Sequence, residues 1–272
     1  MKKLKILINN LNFLVNQEGH EFYWDKVNRG KWEPNTFSVF DTNINNQTLF
    51  IDVGGWIGPT SLYGSQLAKK TLTLEPDPVA YIRLKENLNL NTFLKNKLKL
   101  FNVALWHKET SISLAPSDKF GDSTSSVLKV NKVYEKNIST NKSFSVKTMT
   151  FRKLLKHIDL KEYQKVFVKI DIEGAEYFLF DFLLKNLLEV QASFLVSTHP
   201  WLLGEKSKIG VFQRINQAVK HWQFCQKIKK HKFKLVTSNK GFSYIPIINS
   251  IGWILIGKMH QDILAIPSRI NK

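Results

Sequence analysis

The stretch FIDVGGWIGPTS, residues 50–61, runs an apolar segment into three glycines and a proline. Phe50, Ile51 and Val53 suit a buried strand. Gly54, Gly55 and Gly58 suit a tight turn, and Pro59 suits the first turn of a helix. A strand that turns sharply into a helix is how α/β proteins receive nucleotide-like ligands. The first question is which ligand this turn holds.

The glycine spacing excludes two answers. A dinucleotide fingerprint reads G-x-G-x-x-G, whereas here the second glycine follows the first directly and Trp56 stands where a pyrophosphate would need bare backbone. A triphosphate loop needs Gly-Lys-Ser/Thr, which is absent. Two carboxylates point the same way. Asp52 lies two residues before Gly54 and disfavours phosphate. Glu75 closes the next apolar run, TLTLEP, followed by Pro76. A carboxylate there can accept two hydrogen bonds from a ribose diol. A phosphate-free nucleoside with cationic groups, S-adenosylmethionine, meets these demands.

Outward from this turn, strands alternate with helices. Strands are expected at 48–54, 71–76, 97–105, 165–174 and 192–200, with an accessory strand at 110–116. Helices are expected from Pro59 to about Lys70, over 77–91 with Asp77 as N-cap, after Gly174, and over 210–231. Residues 143–158 pass from extended to helical, and 233–258 read as two closing strands. This alternation predicts a parallel sheet covered on both faces, with an antiparallel strand entering near the C-terminus. The start, MKKLKILINNLNFLVNQEG, reads as an amphipathic helix within a lead-in segment, residues 1–45, that packs on a main domain, residues 46–272.

A second group of polar residues lies in VFVKIDIEGAEYFLF, 166–180. Lys169, Asp171, Glu173 and Glu176 interrupt an apolar run, and unpaired burial of such charges is costly. They are tolerable at the carboxyl edge of a sheet. There Asp171 and Glu173 would face the methionine end of the cofactor and the acceptor. His199, just past the next strand in FLVSTHP, is a candidate base as a neutral imidazole. Asp171, Glu173 and His199 are metal-type ligands, but the sequence alone assigns no metal. FGDSTSSV, 120–127, is a candidate covering loop.

The chain has 272 residues, a net charge of +18 and one cysteine, Cys225. One cysteine excludes an internal disulfide and gives no support for a zinc cluster. No segment is long and apolar enough to span a bilayer, and a soluble cytoplasmic protein is expected. The positive charge suits an anionic acceptor or nucleic acid. It is concentrated in 206–234, which holds nine Lys or Arg and no acid.

The motifs FIDVGGWIGPTS, LEPDPVAYIRLKENLNLN, FNVALWHKETSISL, GDSTSSV, VKIDIEGAE and STHP occur in the order seen in FkbM-type S-adenosylmethionine-dependent methyltransferases, which residues 48–200 resemble. The resemblance implies a class I methyltransferase fold with a mostly parallel seven-stranded sheet. It also implies O-methylation of a hydroxyl on a sugar, glycan or related small molecule. By the same resemblance Asp52, Gly54, Gly55, Trp56 and Gly58 form the cofactor loop and Glu75 binds ribose. Asn102, Val103 and Ala104 flank adenine, and Asp171 and Glu173 lie beside the transfer site. The family reads Gly-Ala-Asn where Gly54, Gly55 and Trp56 stand. Two other readings stay open: ribose 2′-O-methylation of RNA, and a degenerate methyltransferase fold acting as a basic binding module.

Overall fold

The computed structural model of the protein describes residues 1–115, 121, 143–200, 211–238, 254 and 261–268. The chain starts with an antiparallel hairpin of β1 (Lys3–Ile8) and β2 (Leu11–Asn16), not the helix expected there. The reason lies in period two. Ile6, Ile8, Phe13 and Val15 are buried while Lys5, Leu7, Asn12 and Leu14 are exposed, the pattern of a strand with one covered face. Asn9, at φ 50°, makes the turn, a left-handed conformation that asparagine tolerates.

Two short helices follow, α1 (Glu21–Asn28) and α2 (Pro34–Asn43). The alternating part then begins with β3 (Thr48–Val53), α3 (Pro59–Leu67), β4 (Lys70–Leu74), α4 (Pro78–Leu90) and β5 (Leu98–Phe101). As expected, Asp77 caps α4 by accepting from the Val79 and Ala80 N–H groups. The segment 97–105, expected as one strand, is two. β5 ends at Phe101, and β6 (Ala104–Leu105) joins a separate sheet with β7 (Ser111–Leu114) and β8 (Phe144–Met149).

After α5 (Phe151–Leu155) come β9 (Lys165–Ile170), α6 (Glu176–Glu189), β10 (Ser193–Thr198), α7 (Val211–Lys230), β11 (Phe233–Ser238) and β12 (Gln261–Pro267). The main sheet has seven strands in the order β11-β12-β10-β9-β3-β4-β5. It is parallel except for β12, which runs antiparallel to both β10 and β11. The closing strand β12 lies beyond the 233–258 segment expected to hold it. Between β5 and β9 the chain crosses from one side of β3 to the other, so the sheet's switch point falls between β3 and β9. Ligands in open α/β sheets bind at that crevice.

Alternation along β3 divides the core. Leu49, Ile51 and Val53 pack with Leu179, Leu183 and Phe224 of α6 and α7. Phe50 packs on the other face with Phe167, Phe40 and Tyr63, and the same cluster takes in Ile6, Phe13 and Trp24 of the N-terminal segment. The hairpin is also held by polar bonds. The Asn16 N–H donates to Asn87 Oδ1 at 2.7 Å, and Asn87 Nδ2 donates to the Ile57 carbonyl at 2.8 Å. Asn91 pairs with both backbone groups of Leu14. Asn87 thus ties the hairpin and the end of the glycine turn to α4. Cys225 is buried, and burial pushes its thiol up to about 12, as expected for a structural rather than a reactive cysteine. Among the described residues, no helix is long and apolar enough to cross a membrane.

Asn87→Ala would strand a buried N–H and a buried carbonyl, at about 1–3 kcal/mol for each group left unpaired. A urea titration should show that loss of stability. Unchanged stability would mean that the Asn87 bonds add nothing to what the apolar face and Asn91 supply.

Candidate functional site

A cavity of about 220 Å³ opens at the switch point. Its floor is made by two backbones in close approach. The Asp171 N–H donates to the Val53 carbonyl at 3.0 Å. At Gly54, φ 88°, an added Cβ would lie 1.9 Å from the Asp171 carbonyl oxygen. Only glycine fits both the conformation and the space. Gly55 faces inward, where a Cβ would meet Thr73 Cγ2 at 2.3 Å.

Of the residues expected in the site, Gly54, Gly55, Trp56, Glu75, Pro76, Val103, Ala104, Asp171, Glu173 and His199 line the cavity. Asp52, Gly58 and Asn102 lie off its wall. Asp52 is fully buried behind the turn and accepts from Thr60 Oγ1 and Ser61 Oγ at 2.8 and 2.6 Å. It fastens the start of α3 rather than facing a ligand. Burial pushes its carboxyl up, against the pull of Lys169, Ser61 and Thr60. Gly58 is the left-handed N-cap of α3. Asn102 Nδ2 donates to the carbonyls of Glu75 and Pro76 and so holds the end of β4. Of the candidate covering loop 120–127, only Gly121 lies within the described residues.

Glu75 follows β4 directly and accepts the Trp56 N–H at 2.7 Å and the Asp77 N–H at 2.8 Å. Burial nevertheless dominates and pushes its carboxyl up to about 8. Trp56 adopts φ 46°, unusual for a bulky residue and worth about 1–3 kcal/mol of strain. Its indole N–H donates to the Gly121 carbonyl at 2.9 Å. Its ring packs against Tyr23, His20 and Trp32, with centroids 5.0, 5.8 and 6.3 Å away. The bulk that looked out of place in the turn is therefore taken up by the N-terminal segment. Glu33 and Glu173 also line the cavity with positive φ, at 43° and 51°.

The far end of the cavity is electrostatic. Lys169, 2% exposed, lies 3.0 Å from Asp171 Oδ2. Burial opposes its charge, but Asp171, Glu33 and Asp52 outweigh that and hold the ammonium above its ordinary value. Glu176, wholly buried, accepts the Gly174 N–H with one oxygen and the His199 N–H with the other. The second oxygen also lies 3.2 Å from His199 Nδ1. A carboxylate oxygen can only accept here, so Nδ1 carries a proton. Nε2 then faces Asp171 Oδ1 at 3.6 Å and Glu173 Oε1 at 3.5 Å. Burial disfavours the imidazolium, but Glu176, Asp171 and Glu173 together raise its pKa to about 10. With no cation in the cavity, these three carboxylates favour the charged ring over the neutral base expected from the sequence.

Sequence reasoning left out Trp32, Glu33, Leu105, Trp106 and Leu114, which also line the cavity. Trp32 and Glu33 come from the lead-in segment, and no local pattern places that segment over the switch point. Lys169 was noticed as a charge in an apolar strand, and that burial signal was the right one.

Gly54→Ala should lower stability by at least about 2 kcal/mol, from left-handed strain and the clash with Asp171. A shift in the thermal midpoint would measure it. An unchanged midpoint would mean that β3 and β9 can separate without loss.

No curated protein matches this sequence. Among solved structures, the chain is similar to the methyltransferase FkbM from Methylobacillus flagellatus KT, at 12% identity and a TM-score of 0.47, over 89% of this chain and 52% of that one. It is also similar to a putative methyltransferase from Streptococcus mutans in complex with SAH, at 9% identity and a TM-score of 0.43, over 86% and 96% of the two chains. This chain thus spans about half the length of the first of these. The family model described as the methyltransferase FkbM domain matches residues 52–235, from the end of β3 through the Asp171–His199 cluster and into β11. The chain belongs to the FkbM methyltransferase family.

Proposed function

We propose that this protein is an S-adenosylmethionine-dependent O-methyltransferase acting on a hydroxyl of a sugar, a glycan or a related small molecule. The observation that carries this reading is the make-up of the cavity. Indole groups, Trp32 and Trp106, border it together with an acidic cluster, Asp171 and Glu173. A sugar ring offers an apolar face to an indole and hydroxyls to carboxylates.

The residues fit the cofactor. Glu75 offers a carboxylate for the ribose diol, Val103 and Ala104 offer an apolar wall for adenine, and Asp171 offers negative charge for the methionine end. The cofactor supplies a methyl group on a sulfonium. The protein's part is to align the acceptor oxygen with that carbon and to take the hydroxyl proton. Asp171 and Glu173 are the proton acceptors in this reading. His199 positions both carboxylates, and Lys169 orients Asp171. The lone buried Cys225 suits a cytoplasmic setting.

One observation favours an RNA acceptor instead, the net charge of +18. The carboxylates Glu33, Glu75, Asp171 and Glu173 on the cavity wall work against a phosphate-rich substrate near the transfer point.

Two measurements test this reading. If Glu75 binds the ribose as a carboxylate, cofactor binding must draw off the proton that burial retains up to about pH 8. Affinity should rise from pH 6.5 to 8.5, and calorimetry in two buffers at pH 7 should show proton release. Glu75→Gln should weaken binding by about 1.5–3 kcal/mol. Affinity without pH dependence would remove Glu75 from this role. Radiolabelled methyl transfer to sugar nucleotides, cell-surface glycans and RNA should place label on a sugar or glycan hydroxyl. Label on RNA alone would overturn the acceptor class.

A further inference from the structure

We propose that Asp171, Glu173 and His199 form a binding site for one divalent transition-metal ion of the Mn²⁺ type, placed to hold the acceptor hydroxyl. This inference rests on the methyltransferase reading for its purpose, but its geometry stands apart from it.

The three side chains each offer one ligand atom, and these atoms all lie within 4.8 Å of one another. All three residues line the cavity. They come from two parallel strands that lie side by side: Asp171 and Glu173 follow β9, and His199 follows β10. The sheet itself therefore sets their spacing. The turn after β9 keeps Glu173 on the same side as Asp171 by placing Glu173 and Gly174 in the left-handed region, φ 51° and 95°.

A second observation concerns the imidazole. A metal-ligating histidine usually presents one nitrogen to the ion and donates from the other to a carboxylate. His199 is arranged this way. Nδ1 donates to the wholly buried Glu176, and Nε2 is turned toward the two carboxylates. Glu176 is itself fixed by the N–H groups of Gly174 and His199, so the ring orientation is set from behind. Two carboxylates and one imidazole match ions that accept mixed oxygen and nitrogen ligands, Mn²⁺ or Fe²⁺ rather than Mg²⁺ or Ca²⁺.

Three protein ligands leave the cavity side of the ion for water or an acceptor oxygen. A hydroxyl bound there ionises more readily. With the ion in place Asp171 and Glu173 are its ligands rather than the proton acceptors, so the hydroxyl proton passes to solvent, the oxygen electron pair forms the bond to the methyl carbon, and the carbon–sulfur bond breaks with its pair retained by sulfur. The charge balance is favourable: Asp171 and Glu173 face the position and Glu176 backs His199, against the ammonium of Lys169.

The test uses the purified full chain and Mn²⁺ alone, read by electron paramagnetic resonance with unfolding followed in parallel. The wild-type protein should bind one Mn²⁺ per chain. Glu173→Gln and Asp171→Asn should each weaken that binding about 10-fold or more. Should Asp171→Asn fail to fold, Glu173→Gln, which leaves the Lys169–Asp171 pair intact, decides alone. No Mn²⁺ bound by the wild type, or equal affinity in Glu173→Gln, overturns the site. Methyl transfer that proceeds equally with chelator removes the ion from the reaction and leaves the function standing. Mn²⁺ bound by these residues without transfer to any hydroxyl upholds the site and removes the function.

Discussion

The structure depends on one close approach, between the backbone of Gly54 at the end of β3 and that of Asp171 at the end of β9. At this point the two central strands stop pairing and begin to diverge. Val53 still bonds the Asp171 N–H, and a Cβ on residue 54 would already collide with the next carbonyl. Everything functional is arranged around that contact. The glycine turn, Glu75 and the apolar pair Val103 and Ala104 lie on the β4 side. The charged cluster of Lys169, Asp171, Glu173 and His199 lies on the other.

The two sides are electrostatically distinct. Glu75 has no cation beside it among its named partners, and burial, the largest influence, outweighs the two backbone N–H groups it accepts and raises its carboxyl. The cluster near β9 and β10 is a web in which each charge is answered by another. Lys169 sits under Asp171, Glu176 sits behind His199, and His199 faces Asp171 and Glu173. Removing one member exposes its partner in a place with little water, where an unmatched charge costs more than the pair contributes. Such a web is rigid, and rigidity is what an in-line transfer requires of the groups that aim it.

Much of the fold was legible in the sequence. The strand-turn-helix at 50–61, the N-cap at Asp77 and the alternation through β10 are local signals, and the structure follows them. The antiparallel β12 was expected in kind but lies further along than 233–258. The N-terminal hairpin was misread because basic residues among scattered apolar ones suggested a helical face. Its period of two became decisive only once α4 supplied the surface that β1 and β2 cover. The same holds for the site. Residues at strand ends could be named in advance, since topology puts all strand ends at one edge. Asp52 could not be told from a ligand-facing carboxylate, since Thr60 and Ser61 claim it only when α3 starts where it does. Trp32 and Glu33 carried no signal, being brought to the cavity by packing between distant segments.

The docking of the hairpin has a consequence for how the protein is made. Its polar anchors, Asn16 to Asn87 and Leu14 to Asn91, join positions 71 and 77 residues apart. During synthesis β1 and β2 precede α4, and their bonds to Asn87 and Asn91 can form only once α4 has followed them. Contacts of that span close late and slow folding. The hairpin therefore finds its seat on α4 well after its own residues have been made.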